Sequence, residues 1–253
     1  MESTLEHSPN PTSIPNDENK QQQVQQQETS KQEQSQQEQS QQEQPEQSIK
    51  EETNKELVTV FEDPINYNVK HRLQNGWTLW YDNPGKKANT QSWSQNLKQL
   101  ITFDTVEDFW GVYNNVAKAS ELAMGSNYHL FKKDVRPMWE DPANAQGGKW
   151  SVQLPRNRTG DAINDMWLYT LLACIGEAFE HEEEICGCVV SVRKIFYRIA
   201  LWVRTCEDRE KLERVGRQLK ATLGISTQLP VEFTPHSESA KSGPHANKER
   251  FSV

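Results

Sequence analysis

The chain lacks the devices that announce catalysis. It has no glycine-rich phosphate loop, no Gly-x-Ser-x-Gly elbow and no His-Glu-x-x-His helix. That excludes enzymes built on those devices and disfavours an enzymatic role altogether. Cysteine is scarce: Cys174, Cys186, Cys188 and Cys206 are the four present, and their spacing fits no zinc module. His181 stands near them in sequence without a second histidine at a useful distance. The four read as reduced, mostly buried thiols, and no cofactor or metal is expected. No apolar run is long enough to span a bilayer, and the polar, acidic N-terminus lacks the signature of a signal peptide. The expected compartment is the cytoplasm, with the nucleus as a second.

Large apolar residues are nearly missing from Met1 to about Leu57. This segment is Gln, Glu, Ser, Pro and Asn, with SQQEQ repeated in tandem from Ser35 to Gln44. It cannot bury enough apolar surface to offset the entropy of ordering it, so residues 1–57 read as a disordered tail. Residues 1–60 hold 4 Lys/Arg against 12 Asp/Glu, which is the whole net charge of −8, and the remaining 24 of each sign cancel. Residues 58–253 suit one domain with a substantial core.

What that domain has in abundance is tryptophan, eight in all. Leu73–Tyr81, LQNGWTLWY, reads as a strand. NPGKKANT supplies loop chemistry before Trp93 in QSWSQNL. A first helix is predicted over 105–122, with Thr105 and Asp108 as a capping pair and Val106, Phe109, Trp110, Tyr113, Val116 and Ala117 at helical spacing. NYHLF and KWSVQL read as strands. A second helix, about 161–179, is more apolar than a helix with one wet face should be; Leu168 and Leu172 fall partly outside its main stripe. CGCVVSVR and YRIALWVR read as a hairpin. A third helix covers about 207–223, with Leu212, Val215, Leu219 and Leu223 as its inner row, followed by a strand at QLPVEF and about 18 residues of polar loop. Strands without strict β-helix-β alternation, together with three helices, predict α+β: one antiparallel sheet with helices on one face.

Alternation along Tyr197–Arg204 sends Ile199, Leu201 and Val203 one way, toward a helix-covered core. Arg198, Ala200, Trp202 and Arg204 go the other way, onto a face expected to be wet, aromatic and hospitable to anions. The loop 137-PMWEDPANAQGGKW-150 places Glu140 directly after Trp139 and Lys149 directly before Trp150. A tryptophan ring stacks well on a flat cation. A neighbouring carboxylate accepts paired N–H donors such as a guanine edge offers, and Arg and Lys suit phosphates. Together these describe a site for a cationic, guanine-like base carrying a phosphate chain.

WTLWY, FDTVEDFW, PMWED, GGKW, WLYTLLACIGE, CGCVVSVR and IALW occur in this order. From about His71 to the C-terminus the chain resembles the translation initiation factor 4E family, whose members bind the 7-methylguanosine cap of messenger RNA. The resemblance implies a cupped antiparallel sheet with three helices on its convex back. It implies that Trp93 and Trp139 sandwich the methylated base and that Glu140 accepts the guanine edge, with the N–H of Trp139 or Glu140 meeting the base carbonyl. Trp202 would lie against the methyl group. Arg193 and Arg198 would hold the phosphates, helped by Lys149 where the family commonly has arginine, and Lys241 would reach the second nucleotide. The implied partners are capped RNA ending in 7-methylguanosine triphosphate, and the initiation scaffold 4G or repressors carrying a Tyr-x-x-x-x-Leu-Φ helix. That helix would enter a groove formed by His71, Val106, Trp110, Leu168, Tyr169, Leu172 and Gly176, with the chain a monomer inside a heteromeric complex.

Some positions depart from the family pattern. Tyr169 stands in place of a common glutamate, and Arg72 in place of a common proline. Pro244 stands where many animal relatives carry a phosphorylated serine, with Ser242 the nearest hydroxyl, so no regulation of that kind is expected there. Two rival readings follow: a cap-binding repressor or auxiliary paralogue with weakened scaffold binding, and an enzyme acting on the cap, for which 181-HEEE-184 offers an acidic cluster that reads more naturally as a solvated loop after the second helix. Trp77, Trp80, Trp150 and Trp167 are expected in the core.

Overall fold

The structure is a computed structural model describing residues 56–83, 96–239 and 251–253. Trp93, Lys241, Ser242, Pro244 and the Gln-rich repeats lie outside the described residues. The chain divides into two units, one ending at Asn68 and one running from Val69 to Val253. Within the first, Asn68 ties the segment together: its Oδ1 accepts from Val58 N at 2.9 Å, and its Nδ2 donates to the Glu56 carbonyl at 2.9 Å.

In the second unit eight strands form one curved antiparallel sheet. They are β1 (Arg72–Asp82), β2 (Lys98–Thr105), β3 (Asn127–Lys132), β4 (Gly148–Pro155), β5 (Ile185–Val192), β6 (Phe196–Val203), β7 (Glu232–Pro235) and β8 (Phe251–Ser252), in the spatial order β2-β1-β3-β5-β6-β4-β7-β8. Three longer helices, α1 (Val106–Asn115), α2 (Ala162–Ile175) and α3 (Arg209–Thr222), share a core with one parity of strand residues. Ile199, Leu201 and Val203 are fully buried there, as alternation requires. All eight residues of β5 are buried, because this central strand is covered on both faces. Trp150 is fully buried too, and α3 approaches it closely enough that only glycine fits at Gly216: a Cβ there would stand 2.7 Å from the indole. An apolar cavity of about 130 Å³ lies among α1, α2 and the sheet, lined by Phe109, Tyr113, Leu130, Trp167 and Leu171 among others.

Four expectations change. The first helix stops at Asn115 rather than near 122; the Asn115 side chain donates to the Gly111 carbonyl at 2.7 Å, Val116 is extended, and a single 3-10 turn at Ala119–Glu121 follows. The strand β2 had no sequence signal, since as an edge strand it leaves Lys98 to Thr102 exposed and buries only Phe103 and Thr105 near its end. The C-terminal polar loop contains a one-turn helix at His236–Ser239, and β8 returns to pair with β7. Trp80 is only half-buried and lies on the helix-free face, opposite His129, whereas Trp77, Trp150 and Trp167 are in the helix-side core as expected.

Candidate functional site

The register of the sheet organises its helix-free face into rows that cross neighbouring strands. One row runs Thr78, Phe131, Gly187, Trp202, Lys149, Thr234; the next runs Trp80, His129, Val189, Ala200, Ser151, Glu232. A third runs Asp82, Asn127, Ser191, Arg198, Gln153. Adjacent rows are two residues apart along a strand, so the Trp202 row and the Arg198 row are separated by roughly 13 Å. That is the scale of a nucleotide with its phosphates.

The Trp202 end is drier than alternation alone suggests. Phe131, Val135, Cys186, Val189, Ala200 and Trp202 form a small apolar cluster of their own. Phe131 meets the Trp202 indole edge-on at 5.3 Å, and the ring of His236 lies 4.1 Å from it. His236 is buried, and neither ring nitrogen has a partner among the described residues. Burial, with the Lys149 charge nearby, pushes its pKa down to about 3, so the imidazole sits neutral against the indole. Its backbone N–H donates to the Gly147 carbonyl at 2.9 Å. Gly147 has no room for a side chain: a Cβ would stand 1.8 Å from the Val203 carbonyl oxygen. The glycine pair of GGKW thus lets the loop meet the sheet closely enough to start β4.

That loop, between β3 and β4, is held by two of its own polar side chains. Asp141 accepts from the N–H groups of Arg136 at 3.0 Å and Ala143 at 2.9 Å. Asn144, fully buried, donates to the carbonyls of Arg136 and Met138, each at 2.8 Å. Cys186 on β5 donates its S–H to the Ala143 carbonyl at 3.4 Å, pinning the loop to the small apolar cluster. Trp139 is half-buried and Glu140 exposed at the outer turn. Among the described residues, the N–H groups of Trp139 and Glu140 have no acceptor. An indole, a carboxylate and two open N–H donors therefore sit side by side on a braced turn.

Two guanidinium groups mark the other end. Arg193 and Arg198 are half-buried, and among the described residues neither is paired with a carboxylate at contact distance. Burial lowers the pKa of both; for Arg193 the neighbouring Arg198 lowers it further, while Asp82 opposes the change. Arg198 lies over the Phe196 ring, 5.3 Å from its centroid. Arg193 Nη1 donates to the carbonyls of Val192 at 3.0 Å, Gly125 at 3.3 Å and Ser126 at 3.4 Å, and its Nη2 donates to Asn127 Oδ1 at 2.9 Å. Two like charges, partly dehydrated and close enough to sense each other, favour an anion between them.

Residues 72–251 match the family model described as eukaryotic initiation factor 4E. The chain belongs to this family. It is 44% identical to eukaryotic translation initiation factor 4E-1 of Schizosaccharomyces pombe over 79% of this chain and 90% of the relative. It is 44% identical to the factor 4E of Candida albicans over 73% of this chain and 88% of that one. Among solved structures it is similar to Ascaris suum eIF4E-3 in complex with m2,2,7G cap, at 40% identity and a TM-score of 0.64, covering 69% of this chain and 94% of that one. Caenorhabditis elegans eIF4E-3, solved with the 4E-binding protein Mextli and cap analog, is similar at 37% identity and a TM-score of 0.64, over 70% of this chain and 98% of that one.

On the helix-covered side, the sequence VEDFW opens α1. Thr105 Oγ1 caps the helix by accepting from Asp108 N at 3.2 Å and donates to the Asp108 carboxylate at 2.7 Å. His71 is held at this end by Glu107, which accepts from its backbone N–H at 2.8 Å and lies 2.6 Å from its Nδ1. Arg72 pairs with Asp104 on β2. Val106 and Trp110 are each 37% exposed, one turn apart. On α2, Leu168 and Leu172 are half-buried, Tyr169 is exposed, and Gly176 ends the helix. In the sequence HEEE, Glu182–Glu184 form a 3-10 turn in which Glu183 and Glu184 pair with Lys211, and His181, just before it, lies near Glu183. No cluster able to hold a metal occurs among the described residues.

Sequence reasoning missed Asp82, Asn127, His129 and His236. Each carries a weak local signal, a polar residue inside or just after an aromatic strand, but only the register shows that the first three are neighbours.

Proposed function

We propose that this chain binds the 7-methylguanosine cap of messenger RNA on the helix-free face and recruits the initiation scaffold through the helix-covered face. The observation that carries the reading is a braced Trp139–Glu140 turn, its loop pinned to the apolar cluster at the Trp202 end of the helix-free face, together with two half-buried guanidinium groups at the other end that have no carboxylate at contact distance among the described residues. Methylation makes the base cationic, so an indole and a carboxylate both reward it, whereas neither rewards unmethylated guanine equally. Trp139 stacks on the base with Trp93 as the second ring. Glu140 accepts the guanine edge, and the N–H of Trp139 or Glu140 donates to the base carbonyl. Trp202 backs the methyl group. Arg193, Arg198 and Lys149 take the phosphates, and Lys241 meets the second nucleotide. The chain is a binding protein rather than a catalyst and acts in the cytoplasm.

The second surface takes an amphipathic Tyr-x-x-x-x-Leu-Φ helix across His71, Val106, Trp110, Leu168, Tyr169, Leu172 and Gly176. Two apolar side chains one turn apart and over a third exposed support it. So does a relative solved with a 4E-binding protein.

Titration of tryptophan fluorescence with 7-methyl-GTP, with GTP as control, tests the first surface. Strong quenching by the methylated ligand alone is expected. Trp139→Ala should weaken binding by about 1–3 kcal/mol, and Glu140→Ala should reduce, without abolishing, the preference for the methylated base, since stacking still rewards the cation. Equal responses to both nucleotides by a folded protein would refute the cap reading. Capture of a Tyr-x-x-x-x-Leu peptide, lost in Trp110→Ala with 7-methyl-GTP binding intact, tests the second surface. Failure of the wild-type chain to capture it would favour a cap-binding repressor that does not engage the scaffold.

A further inference from the structure

We propose that Asp82 and Asn127 are positioning residues for Arg193, and that through it they set how strongly the site holds the phosphate chain of its ligand, independently of the base. This deepens the cap-binding reading and rests on it. Asp82 and Asn127 face each other across β1 and β3, in the same row as Arg198. Asp82 is fully buried, and Asn127 nearly so. Asn127 Nδ2 donates to Asp82 Oδ1 at 2.9 Å and to Oδ2 at 3.0 Å, while His129 Nε2 lies 2.5 Å from Oδ1.

A carboxylate offers this amide acceptors only, so Asn127 must turn its NH2 toward Asp82 and its carbonyl oxygen toward Arg193. That oxygen receives Arg193 Nη2 at 2.9 Å. The carbonyls of Gly125, Ser126 and Val192 occupy Nη1. Of five guanidinium donors, the Nε–H and one Nη2 proton have no acceptor among the described residues and can serve a ligand. Clamped from two sides, the fork is oriented before any phosphate arrives, and less rotamer entropy is lost on binding. The Asp82 charge is passed on through a neutral amide, so Arg193 keeps its attraction for an anion rather than spending it on a direct ion pair. Had the sheet placed a carboxylate at 127, that charge would have been neutralised in place.

The test compares 7-methyl-GTP with the 7-methylguanosine nucleoside, which has the same base and no phosphate, on the full chain. Asn127→Ala should weaken 7-methyl-GTP binding about tenfold, the effect of losing one charge-assisted hydrogen bond, and change nucleoside binding by less than about twofold. Asp82→Asn, which is nearly isosteric but frees the amide to turn over, should move the same ratio in the same direction. The double variant should be no worse than Asn127→Ala, since both act along one path. If Asn127→Ala does not fold, Asp82→Asn carries the comparison. An equal loss for both ligands would mean a merely structural role and overturn the proposal, as would no loss for either. Absence of 7-methyl-GTP selectivity in the wild-type chain would instead defeat the cap reading itself, and this proposal with it.

Discussion

His236 shows what a single side chain contributes. Its ring is buried against Trp202 with no hydrogen-bond partner among the described residues, and its pKa is pushed down to about 3 by burial first and Lys149 second. An unfolded histidine titrates near 6.5. Between about pH 6.5 and 3 the unfolded chain therefore binds the extra proton. The stability contributed by the neutral ring is full above about 6.5 and is lost as pH falls toward 3, at up to about 1.4 kcal/mol per pH unit. His236→Phe keeps a flat ring against the indole and removes the titration. Urea midpoints measured from pH 7 to pH 4 should fall less steeply in the variant than in the wild type. Equal slopes would show that other groups dominate the acid sensitivity. The burial of this ring was not legible in the sequence: a histidine just after a short strand is a weak signal, and nothing local says that the ring is covered.

At the scale of elements, α1 depends on its first turn. Thr105 caps the helix, Asp108 is bonded to Thr105 and Lys70, and Glu107 holds His71. Thr105→Ala removes both the cap and a carboxylate partner and should cost about 1–2 kcal/mol in urea denaturation. Because Val106 rides on this turn and Trp110 on the next, the same variant should weaken peptide capture more than it weakens 7-methyl-GTP binding. Parallel losses in the two would show that the cap stabilises the whole unit rather than the docking face. The start of this helix was legible because Thr105 and Asp108 stand at capping distance beside an apolar stripe. Its end was not, since no glycine or proline stops it. An asparagine side chain bonding back to Gly111 does so instead. The edge strand β2 went unread for a related reason: with one partner strand and most of its residues exposed, it needs no alternation.

For the whole molecule, charge and register divide the labour. The net charge of −8 belongs to residues 1–60, while the remainder is balanced. On the proposed reading, attraction for a phosphate chain comes from the local charges of Arg193, Arg198 and Lys149 rather than from a global field. Raising salt from about 0.05 to about 0.5 M should weaken 7-methyl-GTP binding by roughly tenfold and leave 7-methylguanosine nearly unaffected. Arg198→Gln should flatten that salt dependence; an unchanged slope would place the phosphate contacts elsewhere. The sequence by itself determined the fold class, the faces of β6, the inner row of α3 and the ordered motifs that mark the family. These are properties of neighbours along the chain, where alternation and helical period act directly. Only the tertiary structure decided which side chains share a row: that Asp82 meets Asn127, that Asn127 meets Arg193, that Trp80 stands opposite His129, and that Gly147 has no space for a Cβ. Those contacts join positions tens of residues apart through strand register, and register is set by the packing of the whole sheet.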